Sequence, residues 1–128
     1  MKRLLIFLCL ITFISSCREK STLEQEVLAV HDEVMPKLGE LNKDRKNLQT
    51  ILKTTTDETI RAELLTTISA LKKADEGMMD WMSDWKVPTD ATEQKAYLEK
   101  EMVRITKVKN DMLESMKNAK SLKQKHSK

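Results

Sequence analysis

The sequence predicts an all-α fold, an up-down-up antiparallel three-helix bundle, and three observations carry that prediction. Of the 128 residues only two are glycine and two proline, so few positions can break a helix. Charged residues make up 34% of the chain and aromatics 4%, a balance suited to long solvated helices rather than to sheet. Three stretches then repeat apolar residues at three- and four-residue steps, the pattern of a single buried helical face.

Each helix has its own start and stop signals. Ser21-Thr22-Leu23-Glu24 reads as a capping box. Leu23, Val27, Val30, Val34, Leu38, Leu41, Leu48 and Leu52 form the stripe of a first helix over about 22–52, with Arg45 as its misfit. Pro36 lies inside that helix, where it lacks an amide hydrogen and collides with the carbonyl of Asp32, so a kink is expected. Thr54-Thr55-Thr56-Asp57 favours a turn and a new start. The second helix, over about 57–85, is drawn by Ile60, Leu64, Ile68, Leu71, Met78, Met82 and Trp85, with Asp75 in line between Leu71 and Met78. Gly77 is expected to let it approach the first helix near the level of Pro36.

Lys86-Val87-Pro88-Thr89 closes the second helix, and Asp90-Ala91-Thr92-Glu93 caps the next. The third, over about 91–123, has the stripe Leu98, Met102, Ile105, Val108, Met112, Met116, Ala119 and Leu122. The lysine-rich end, Lys117 to Lys128, is expected to fray. Helices of about 30 residues are about 45 Å long, and short connections make neighbours antiparallel.

The first 17 residues have a different character. Met1-Lys2-Arg3 is positive, and Leu4 to Ile14 is a mostly apolar run, shorter than the roughly 20 residues that a membrane span requires. Ile14-Ser15-Ser16-Cys17 resembles the lipobox of bacterial lipoproteins: an aliphatic residue, two small residues, then cysteine. That resemblance implies a signal peptide over 1–16 and diacylglycerol and palmitate-type acyl chains on Cys17; a lipidated tether over 17–21 would then lead into the helical bundle with a basic C-terminal tail over 22–128 that the apolar stripes predict. Cys9 would leave with the signal, and Cys17 would be the one cysteine of the mature chain. An exported chain with one thiol cannot form an internal disulfide, whereas acylation gives that cysteine a use. The expected location is a bacterial cell envelope, membrane-anchored, at the periplasmic or surface face of the outer membrane.

Processing would leave 21 basic and 20 acidic residues, so the pI of 8.8 for the whole chain overstates the charge of the mature protein. No nucleic-acid partner is expected from it. A Gly-rich phosphate loop, a CxxC pair and a Ser/His/Asp set are all missing from the sequence, and no enzyme is expected.

Two segments depart from helix filler: His31 to Leu38 and Ala74 to Trp85. An antiparallel first hairpin would bring them to one level, with His31 near Met79 and Met35 near Asp75. Imidazole and thioethers together suit copper, above all Cu(I), so His31, Met35, Met78, Met79 and Met82 are candidate ligands, with Asp75 or Asp80 orienting the histidine. The competing reading makes the methionines core filler and the histidine half of a satisfied hydrogen-bonded pair. Trp81 and Trp85 either form an exposed contact patch or cap the end of the core. Lys117, Lys120, Lys123, Lys125 and Lys128 either touch anionic lipid or envelope polymer, or complete a solvated helix end.

His31-Asp32-Glu33-Val34-Met35-Pro36-Lys37 and Met78-Met79-Asp80-Trp81-Met82, in that order after a lipobox, resemble small Bacteroidetes-type lipoproteins often labelled "viral A-type inclusion protein". The label carries no known activity. The resemblance implies a Gram-negative envelope and one anchored helical domain, and it transfers no catalytic residue. The expected function is therefore that of an envelope-anchored lipoprotein with a non-enzymatic binding or structural domain. Its partners would be the membrane, through the lipid, and a protein or second copy of the chain; copper is the alternative cofactor.

Overall fold

The computed structural model describes residues 21–126, so the signal segment and Cys17 lie outside the described residues. Four α-helices follow: α1 (Thr22–Val34), α2 (Leu38–Thr54), α3 (Glu58–Asp84) and α4 (Ala91–His126). α1 and α2 are one rod interrupted by a 3-10 turn at Met35–Lys37, and with α3 and α4 they make the three-helix bundle. The interruption falls where Pro36 cannot donate a hydrogen bond. There Leu38 N–H bonds back only to the Met35 carbonyl, the tighter spacing of a 3-10 turn. The rod changes neighbours across that turn: α1 packs chiefly on α4, and α2 chiefly on α3.

The boundaries have local causes. Ser21 Oγ accepts from Glu24 N–H at 3.1 Å. Asp57 accepts from Thr59 N–H and Ile60 N–H at 2.8 and 3.0 Å, and Asp90 does the same for Thr92 and Glu93. At the α2–α3 turn, Arg61 Nη1 donates to the carbonyls of Leu52 and Thr55, while Thr54 and Thr55 hydroxyls donate to Ile51. The exposed carbonyl end of α2 is thereby satisfied without a glycine.

The core follows heptad spacing. Val27, Val34, Leu41 and Leu48 on α1 and α2, Leu64, Leu71 and Met78 on α3, and Leu98, Ile105, Met112 and Ala119 on α4 are all buried. A period of 3.5 residues gives knobs-into-holes packing between neighbouring helices. Two details of the expected stripes change. On α4 the seam runs through Glu101 and Ser115, both buried, while Met102 and Met116 sit half-buried beside it. On α2, Asp44 is buried between Leu41 and Leu48, and the misfit Arg45 is ion-paired at 3.6 Å with Asp75, the misfit of the second stripe.

The C-terminal stretch does not fray at Lys117. α4 continues to His126, with Lys123 bonded to Asp44 of α2 and Lys125 to Glu63 of α3 at 3.0 Å. Ion pairs across two helices hold the last turns in place. Among the described residues no helix is long and apolar enough to cross a membrane.

Gly77 is not required by a close approach to the first rod. It faces α4 instead, and an added Cβ would lie 3.9 Å from Val108 Cγ2, an ordinary contact. Gly77→Ala is accordingly expected to stabilise the bundle by about 0.5–1 kcal/mol, the helix-interior cost of glycine relative to alanine. A higher midpoint of urea unfolding checks it; a lower one would reveal a backbone constraint at this position.

Candidate functional site

The segments singled out in the sequence do meet, through rings. His31 lies one turn before the Pro36 break, Trp81 is in the last turn of α3 and Trp85 is its C-cap, and Tyr97 lies two turns into α4. The His31 and Trp81 centroids are 5.5 Å apart at 28°, Trp81 and Trp85 are 5.0 Å apart, and Trp85 and Tyr97 are 5.8 Å apart. Such offset and tilted pairs add about 0.5–1.5 kcal/mol each beyond burial. The series crosses all three rods of the bundle. Its far end is held by the Tyr97 hydroxyl, which accepts from Lys86 N–H at 2.8 Å and donates to the Asp84 carbonyl at 3.5 Å.

His31 Nδ1 is 2.8 Å from Asp32 Oδ1, so the acid on the histidine is its chain neighbour. Asp75 is engaged with Arg45 a level away, and Asp80 is exposed. His31 Nε2 and Trp81 Nε1 are both buried without a protein partner. The five expected ligands do not share one environment. Met78 is fully buried in the core, Met79 is 42% exposed, and Met35 and Met82 are half-buried against the core. Consecutive residues such as Met78 and Met79 point about 100° apart on a helix, because 3.6 residues complete a turn. Among the described residues no group of three or more His, Cys, Asp or Glu side chains is placed to hold a metal ion. Trp81 is only 2% exposed and Trp85 half-buried, so this pair packs at the end of the core.

Beside the rings lies a charged cluster that apolar periodicity alone did not reveal. Glu101, 1% exposed, receives both oxygen contacts from Arg104 Nη1 at 3.1 and 3.2 Å, and Arg104 Nη2 reaches Asp84 at 2.9 Å. The i,i+3 spacing of Glu101 and Arg104 was the available signal. The hydrogen bond to Asp84 is the chief cause of a raised Arg104 pKa; burial pulls the other way, and the bond and charge of Glu101 add to the rise. Since the folded value is raised, the stabilisation is fully present below the ordinary guanidinium value. It is lost only as pH climbs through the raised one, beyond the neutral range.

Comparison with family models, curated proteins and solved structures finds no match for this chain.

Arg104→Met is expected to cost roughly 3 kcal/mol, near the low end for breaking a buried pair because Arg104 is itself partly exposed. Adding Glu101→Leu should recover most of that loss, since an apolar side chain of similar volume leaves no buried charge behind. Chemical denaturation of the two variants checks the order; a double variant as unstable as the single one would contradict it.

Proposed function

We propose that this protein is an envelope lipoprotein, tethered through lipid on Cys17, whose helical bundle acts by binding or spacing rather than by catalysis. The observation that carries the reading is where the bundle starts. Cys17 precedes the Ser21 cap by four residues. A fully extended tether of that length reaches at most about 14 Å. The start of α1, the α3–α4 connection and the start of α4 lie at one end of the bundle, so the lipid would hold that end near the bilayer surface. The chemistry-bearing side chains support the second half of the reading, because they are committed to structure: His31 to Asp32 and Trp81, Glu101 to Arg104, Asp44 to Lys123.

A second reading, a copper-binding envelope protein, is favoured by one feature of His31. With Nδ1 on Asp32, its buried Nε2 carries no protein partner, the arrangement in which a carboxylate orients an imidazole ligand. Met35 lies one turn further on, and Met82 follows Trp81; both are half-buried.

Cys17→Ser is expected to abolish labelling by radioactive palmitate and to release the protein from membranes; labelling that persists would reject the tether. Cu(I) titration of the chain 18–128 separates the two readings. Stoichiometric binding lost in His31→Ala would favour the metal reading, and binding unchanged by that substitution would reject the site as drawn.

A further inference from the structure

The near-neutral total charge conceals a division along the bundle. Gly77 against Val108 and the 2.6 Å pair of Glu33 with Lys109 mark a level midway along it. On the Ser21 side of that level, residues 21–37 and 77–108 hold 10 acidic and 6 basic residues. On the far side, residues 38–76 and 109–126 hold 9 acidic and 12 basic residues. At physiological salt charges are screened beyond about 8 Å, and α4 alone is about 54 Å long, so the two halves present separate fields.

Pairing sharpens the contrast. In the far half Asp44, Glu58, Glu63, Asp75 and Glu76 are engaged by Lys123, Arg61, Lys125, Arg45 and Lys72. Lys43, Lys46, Lys53, Lys117 and Lys120 are exposed, with no acidic partner among the described residues. Lys117, Lys120 and Lys123 border a cleft of about 330 Å³ between α2 and α4. Leu113 and Met116 give the cleft apolar lining; Glu40 and Asp44 stand in it too, the latter already taken by Lys123.

We infer that this cleft and the lysines around it are a docking surface for an anionic polysaccharide. The sign of the charge selects a polyanion, and the apolar lining suits the flat face of a sugar ring better than a bare ion. Lys117, Lys120 and Lys123 succeed one another by three residues, about 4.5 Å of helical rise, a step comparable to one sugar unit. Neighbouring carboxylates or phosphates along a glycan can therefore meet the free ammonium groups of Lys117 and Lys120, while Lys123 stays on Asp44 and offsets its charge. Lys117 lies about 39 Å along α4 from Ala91. With the Ser21 end tethered as proposed above, the anchoring bilayer is several screening lengths away and does not compete for the cleft.

The test uses the chain 18–128, which keeps the whole buried core from Val27 to Leu122. Its probe is immobilised heparin. The protein is expected to bind at low salt and to elute as salt rises. The triple variant Lys43→Gln, Lys117→Gln, Lys120→Gln should bind about tenfold more weakly, as expected for three exposed ion pairs lost together. The control Lys86→Gln, Lys95→Gln, Lys100→Gln, with the same charge change at the opposite end, should stay within about twofold of the parent. Helical circular dichroism confirms that both variants fold. No salt-sensitive retention, an equal loss in the control, or tighter binding to polyglutamate or to phosphatidylglycerol vesicles than to heparin would each overturn the inference. Because this chain lacks Cys17, failure of palmitate labelling leaves the assay unaffected, and the two readings fail separately.

Discussion

Pro36 carries no amide hydrogen, and its ring crowds the carbonyl one turn earlier, so the first rod cannot run straight through this position. The chain meets that constraint with a 3-10 turn, and the packing on either side depends on it. Below the turn α2 lies on α3; above it α1 lies chiefly on α4. Between α1 and α3 large side chains meet, and His31 and Trp81 stack at 5.5 Å. Interiors are packed as densely as organic crystals, so a smaller pair at this level would leave a void. The ring series from His31 to Tyr97 thus joins α1, α3 and α4 just beyond the proline turn.

The buried charges answer a different requirement. A buried ion pair adds little stability over apolar residues of the same shape, but losing one partner is costly. That asymmetry makes such pairs effective markers of register. Arg104 joins buried Glu101 to Asp84 and so sets α4 against α3. Lys123 on Asp44 sets α4 against α2, and Arg45 with Asp75 sets α2 against α3. Sliding α2 against α4 by one turn would strand the Asp44 carboxylate in the core, and sliding α3 would part Asp75 and Asp84 from their arginines. A bundle built on repeated heptads of leucine, isoleucine and methionine has several near-equivalent registers, and these three links distinguish among them.

Fold class, helix number and caps were legible in the sequence because their causes are local: apolar period, and Ser21, Asp57 and Asp90 each set against the amides that follow. What escaped depended on tertiary register. Met102 and Met116 looked like seam positions because they are apolar, yet the seam passes through Glu101 and Ser115, as the heptads of Leu98, Ile105, Met112 and Ala119 require. Arg45 and Asp75 were each visible as misfits, but that they answer one another needed the alignment of two helices. The level of His31 was readable and its partner was not. The expected neighbour was Met79; the ring found there is Trp81, and Asp32 takes the place of Asp75 or Asp80. Tyr97 carried no pattern of its own, so nothing in the sequence tied it to Trp85.

Charge division along a rod constrains what a tethered copy can meet. Copies held by Cys17 in one bilayer would stand parallel, with acidic halves beside acidic halves and basic beside basic. Like charges brought together at close range oppose lateral clustering, and the exposed large apolar residues among those described, Leu65, Met79, Val103 and Leu113, are separate positions along α3 and α4. Antiparallel pairing would satisfy both halves, but a tether of about 14 Å cannot invert a rod of about 54 Å. The proposed anchoring would therefore remove the one self-association that the charges favour and would leave the far half free. A field of one sign at the end of such a rod chiefly raises the rate of encounter with an oppositely charged partner. Specificity must then come from what the cleft between α2 and α4 adds at short range, where Leu113 and Met116 lie among the lysines.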